Sequence, residues 1–326
     1  MVLMINIEKG VSIILHDWLD VKNGELIHFI TDETHLKETE AISRWAYGAD
    51  AVLKTTVLPS NMIQNGEVIE KMVDILSNEN VIIGATDYSF ITTNAVKTAV
   101  NNGARFLSIP LSCKDGTSLL ENDFIQMNPK EALRNAKKLI SYIQNGQTVR
   151  VTTDKGTDIS FSIENRKPGY FCGMAKKPKE TASASFEVYI APNEDTMNGT
   201  LILDGSYGYI GKVEDEVTIT FKDGTLISAT SKKDGAKKLL DYIESFNDKT
   251  MYKPGEFGIG LNKLSKIRGV CYIEDESVYG TFHLGMGRNI ALGGKQQAAG
   301  HFDIVTYKPN IYVDDMLIMK NGEIFI

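Results

Sequence analysis

The rhythm of the sequence changes near residue 146, and that change limits the possible folds more than any single motif does. Before it, short apolar runs alternate with helical patterns. "ELIHFIT" (25–31) reads as a strand, "LKETEAISRWAYG" (36–48) as a helix ended by glycine, "ADAVLKTTVL" as a strand and "NGEVIEKMVDILSNE" as a helix. "NVIIGAT" and "ARFLSIPL" are apolar enough for strands covered on both faces, with the helix "TTNAVKTAVNNG" between them. "PKEALRNAKKLISYIQNG" (129–146) closes the section as an amphipathic helix. The alternation predicts an α/β, Rossmann-like domain over residues 1–146 with a doubly wound, mostly parallel sheet.

From residue 147 the signals become those of hairpins. "TVRVTTDKGTDISFSIE" turns at Asp-Lys-Gly, "VTITFKDGTLISAT" at Asp-Gly and "IYVDDMLIMKNGEIFI" at Asn-Gly. "DGAKKLLDYIESFN" (234–247) is the one clear helix. Residues 147–326 therefore read as a β-rich α+β domain, so the whole chain is α/β followed by α+β.

Composition narrows the partners. The net charge is −7, with acidic and basic residues mixed along the chain and no Lys/Arg cluster, which argues against a nucleic acid. No apolar run approaches the roughly 20 residues of a membrane helix, and the start lacks a secretory pattern. Three cysteines, far apart and without CxxC, predict reduced thiols in a cytoplasmic protein.

The chemistry-bearing residues concentrate in the second half. In "AGHFDIV" (299–305), His301 and Asp303 are two apart in a strand-like run, so both point to one face. His283 lies in "YGTFHLGMG", Glu256 opens "KPGEFGIGLN" and Glu187 interrupts the apolar alternation of "SASFEVYIAP". A carboxylate inside such a strand must be exposed, paired or metal-bound. Two imidazoles and three carboxylates form the mixed N/O set that suits Zn, Mn, Co or Fe(II), and a carboxylate-bridged pair of ions would use all five. The competing reading is a hydrogen-bonded internal pair and scattered polar residues that never meet.

Glu274, Asp275 and Glu276 read either as a solvated turn or as the source of a general base. "HLGMGRNIALGG" reads as a loop at the mouth of a site, with Arg288 and Lys295 available to an acidic group. His16, His28 and His35 read as structural or surface residues.

Several motifs carry a family resemblance. "FEVYIAP…NGTLILDG", "GEFGIGLN", "DESVYGTFHLGMG", "GHFDI" and "YVDDMLIMKNGEI" occur in the order found in the aminopeptidase T family of metallopeptidases, which the second half resembles. That resemblance implies a metalloaminopeptidase-like hydrolase acting on a peptide or amide carbonyl of a small-molecule or short-peptide substrate. It also implies two divalent ions (Zn, Co or Mn) on Glu187, Glu256, His283, His301 and Asp303, with Glu276 as the base, in a homo-oligomer.

The same superfamily includes the ring-cleaving 2,5-dihydroxypyridine dioxygenase, which uses one Fe(II). "APNEDTMNGTLILD" and "LGGKQQAAGHFDI…IYVDD" resemble that branch, and Ile290 stands where the larger peptidases carry a tyrosine. The ligand set thus leads to the hydrolase as the main expectation, and the surrounding sequence to the dioxygenase as the alternative.

Overall fold

The computed structural model describes residues 6–60, 66–87, 89–111 and 113–326. They form two compact units, Met1–Pro129 with Phe171–Ser185, and Lys130–Tyr170 with Phe186–Ile326.

The first unit is built on a parallel sheet. Its strands run in the order Val52–Leu58, Leu26–Asp32, Val81–Gly84, Arg105–Ser108, Thr181–Ser183, with every neighbouring pair parallel. The central strands Val81–Gly84 and Arg105–Ser108 are buried at every position, while in the edge strand Val52–Leu58 only Leu58 is buried. Burial on both faces explains the apolar runs Val81–Ile83 and Phe106–Leu107 at their centres. Helix Asn94–Asn102 is capped by Thr93, whose hydroxyl accepts from the Val96 amide, and it ends at Gly103 with φ +124°.

Two sequence-based boundaries move. The helical pattern after residue 65 is two short helices, Gly66–Glu70 and Val73–Leu76, joined through a turn whose amides bond three residues back. Helix Pro129–Ile143 belongs almost wholly to the second unit, and the short strand Thr181–Ser183 returns to the first. Three strand residues inside a hairpin-rich stretch carry no sequence signal of which sheet they join.

The second unit contains two antiparallel sheets. One has eight strands, including the hairpins Thr148–Thr152/Asp158–Ser162 and Val217–Lys222/Thr225–Ser231. The second hairpin turns at Asp223 (φ 47°) and Gly224 (φ 69°), the left-handed pair that Asp-Gly favours.

Four successive strands of the other, five-stranded sheet are His301–Tyr307, Thr281–Gly287, Pro254–Gly260 and Phe186–Ile190. Strand alternation gives this sheet two unlike faces. Phe186, Val188, Phe257, Ile259, Phe282, Leu284, Phe302 and Ile304 line one of them, all buried. Phe257 packs on Phe282 at 5.9 Å and on Phe161 of the eight-stranded sheet at 5.2 Å, which ties the two sheets together. The face opposite is polar, and it holds the site.

Among the described residues no helix is long and apolar enough to cross a membrane. Replacing Phe282, fully buried between the sheets, with alanine should cost about 3–5 kcal/mol through lost burial and a cavity. Chemical denaturation would read this as a lowered midpoint for the second unit.

Candidate metal centre

Register decides which side chains meet on the polar face. Glu256 and Asp303 lie directly opposite Gly285, from its two sides. His283 lies opposite Gly258, His301 opposite Gly287, and Glu187 opposite Gly260. Cross-strand partners share a face, so each of these side chains has a glycine beside it on at least one neighbouring strand.

Those glycines are required. A Cβ on Gly258 would stand 1.9 Å from Nε2 of His283, and one on Gly285 2.4 Å from Cε1 of His301. The imidazoles lie across the bare backbone of the neighbouring strand. The pairs Gly258/Gly260 and Gly285/Gly287, each two residues apart in a strand, are therefore the signature of a cleared sheet face. That signal was in the sequence, but it becomes meaningful only once the strands are paired.

The five expected residues converge into two groups that share Glu256. Glu187, Glu256 and His283 form one, Glu256, His301 and Asp303 the other, with the ligand atoms of each group within 4.8 Å of one another. Nε2 of His283 is 2.9 Å from a Glu187 oxygen, and Nε2 of His301 is 3.1 Å from Glu256 and 3.4 Å from Asp303. Four of the five are buried, while the His301 side chain remains 31% exposed and marks the open side. Nδ1 of His301 donates to the Arg288 carbonyl at 2.8 Å, which turns Nε2 toward the carboxylates.

Electrostatics explain the protonation pattern. Burial alone would make His283 neutral, yet its hydrogen bond to Glu187, with Asp303 and Glu256 nearby, pushes it up to about 9. Burial likewise opposes the charged form of His301, but Asp303 and Glu256 hold it well above its usual range. Asp303, also buried, is pulled down to about 2 by the two imidazoles and by Glu276.

Glu276 sits on the short helix Tyr272–Glu276. Burial, then repulsion from Asp303, Glu187 and Glu256, raises its carboxyl well above the usual range. A carboxyl raised in this way favours its protonated form beside Asp303. Glu274–Glu276 are not a solvated turn. Glu274 pairs with Arg268 at 2.6 Å, and Asp275 accepts from Ser206 at 2.6 Å and from the Arg268 and Gly269 amides.

The Arg288 guanidinium bonds to the Ala298 and Ala299 carbonyls, so it braces its own loop, while the Lys295 side chain is exposed. His16 is exposed beside Asp17, and His28 is buried between Thr56 and Glu79. His35 is not a surface residue but lies buried among carboxylates.

The donor set fits a metal ion on two grounds. Oε2 of Glu276 is buried without a hydrogen-bond partner and Oδ1 of Asp303 has only its 3.4 Å approach to His301, although such groups are nearly always satisfied. Three carboxylates besides Glu276 also lie with the two imidazoles, a mixed oxygen and nitrogen donor set of the kind divalent cations take.

Fold and donor set together define an enzyme whose centre offers carboxylate and imidazole ligands to a metal. The profile of the NicX family, 2,5-dihydroxypyridine 5,6-dioxygenase, matches residues 21–326, and the chain belongs to that family. A 2,5-dihydroxypyridine 5,6-dioxygenase from Pseudomonas putida is 28% identical over 145 residues, 41% of this chain and 41% of that relative's length.

Two solved structures share the fold. The 2,5-dihydroxypyridine dioxygenase of Pseudomonas putida has a TM-score of 0.80 at 18% identity, covering 98% of both chains. AmpT of Thermus thermophilus has a TM-score of 0.70 at 13% identity, covering 98% of this chain and 99% of that one. The aminopeptidase resemblance is accompanied by a shared fold. The expectation of a hydrolase, aminopeptidase or protease is overturned by the family match and the curated relative. The ligand set misled because it outlines a metal centre without specifying the reaction.

Two outcomes test this geometry. Gly258→Ala, which drives a methyl into the His283 ring, should weaken metal binding on the order of 10–100-fold with an unchanged circular dichroism spectrum. The metal-free protein should also lose stability as pH rises from about 6.5 to about 9. The raised His283 pKa stabilises the fold fully below its ordinary value of 6.5, and that contribution disappears as pH passes about 9. At the acid end, the lowered Asp303 pKa contributes stability above 3.8 that is lost as pH falls through about 2. Calorimetry in EDTA would record both limbs.

Proposed function

We propose that the chain is a ring-opening dioxygenase that acts on a hydroxylated nitrogen heterocycle and depends on a ferrous ion. The observation carrying this reading is the group Glu256, His301 and Asp303, open to solvent at His301, in a chain whose family match spans residues 21–326. A compact N/O donor set with open positions suits ferrous iron in oxygenases. Glu256, His301 and Asp303 would hold the ion, which when bound supplies the redox chemistry that inserting O2 into a ring requires.

The usual facial set has two imidazoles and one carboxylate. Here Glu256 supplies a second carboxylate, and the other imidazole, His283, is ion-paired with Glu187 beside it.

The chain's own groups would do the rest. The Arg288 carbonyl fixes His301 through Nδ1. Glu276 holds a proton beside Asp303. Burial of Glu187, Glu256, His283 and Asp303 excludes water on every side but that of His301. Tyr209 and Tyr272, whose rings pack 4.2 Å apart, would give a flat heterocycle an aromatic surface.

The test is oxygen uptake by protein loaded anaerobically with Fe2+, given 2,5-dihydroxypyridine. One O2 should be consumed per ring opened, and His301→Ala should lower kcat/KM by about 100-fold or more. Turnover without O2, or by zinc-loaded but not iron-loaded protein, would refute the assignment.

A further inference from the structure

The first unit carries a second group of possible ligands, independent of the centre above. Asp32 is the last residue of its strand, His35 begins helix Leu36–Gly48, and Asp87 follows strand Val81–Gly84. The two strands are neighbours. After the first of them the chain adds one strand on one side and the next on the other, Val52–Leu58 and Val81–Gly84. Such a reversal opens a crevice at the carboxyl ends of the strands, where open parallel sheets bind ligands.

The imidazole is oriented as a metal ligand would be. His35 is the N-cap residue, yet its side chain makes no capping bond to its helix. Its Nε2 faces Asp32 at 3.5 Å and Asp87 at 3.7 Å, while Nδ1 faces Glu38 at 3.8 Å. The two Nε2 separations lie near the ~3.4 Å that separates two ligands of a tetrahedral ion with bonds of about 2.1 Å. A carboxylate behind the far nitrogen is the usual support for a ligating histidine.

Charge points the same way. Asp32, His35 and Glu38 are all buried; Asp32 accepts from the Thr34 amide and hydroxyl, and the ion pairs of Asp32 and Glu38 are with His35. The helix N-terminus offers about half a positive charge and the imidazole at most one, against two buried carboxylates before Asp87 is counted.

We infer that Asp32, His35 and Asp87 form a second divalent-cation site, with Glu38 supporting the histidine, for a first-row ion such as Mn2+ or Zn2+. The site would be closed by three protein ligands and leave a position for water or an anionic ligand in the crevice.

The experiment titrates the full chain with Mn2+, following free ion by its EPR signal, and with Zn2+ by calorimetry. Wild type should bind one equivalent more tightly than Asp87→Asn and His35→Ala by about 10-fold or more. That equivalent should survive in His301→Ala, which removes a ligand of the other centre. Equal stoichiometry and affinity in wild type and Asp87→Asn, for both ions, would overturn the site. The Asp87 side chain is 38% exposed, so its variant decides the matter even where His35→Ala fails to fold.

Discussion

The central constraint is electrostatic. Three carboxylates and two imidazoles share one sheet face, with Glu276 of a neighbouring helix against them, and most of the group is buried where like charges repel strongly and water screens them little. Everything around the site answers that problem. His283 and His301 take up protons, Glu276 keeps one, and Asp303 alone is driven far toward the anion. A cation in the middle would replace those protons, so metal binding and proton release are coupled.

Such a face can exist only because its reverse is apolar. The same strands place Phe257, Phe282 and Phe302 on the far side, and that packing supplies the stability from which the buried charges subtract. Glycine at alternate positions then lets the imidazoles lie flat across neighbouring strands. Gly258 and Gly285 are thus as much a part of the centre as the side chains they accommodate.

The comparison with relatives separates architecture from reaction. AmpT and the dioxygenase of Pseudomonas putida share this fold at low identity, and a shared fold does not by itself fix the reaction. Glu256 and the His283–Glu187 pair are where this chain's centre differs from the usual two-imidazole set. The orientation of His301 depends on a main-chain carbonyl, that of Arg288, which no residue type announces.

The sequence by itself determined the alternation of strands and helices in the first half, the hairpins of the second, and the residues from which a metal centre is assembled. Periodicity and turn chemistry are local, and strand parity already placed His301 and Asp303 on one face. Only tertiary structure decided that the Glu187, Glu256 and His283 strands pair in the register that brings all five together. It alone joined Thr181–Ser183 to the parallel sheet and buried Glu276 so that it keeps its proton. It also drew His35 inward toward Asp32 and Asp87, which lies 52 residues further along the chain. Burial and through-space charge depend on distances that the chain acquires only on folding, and residue spacing does not encode them.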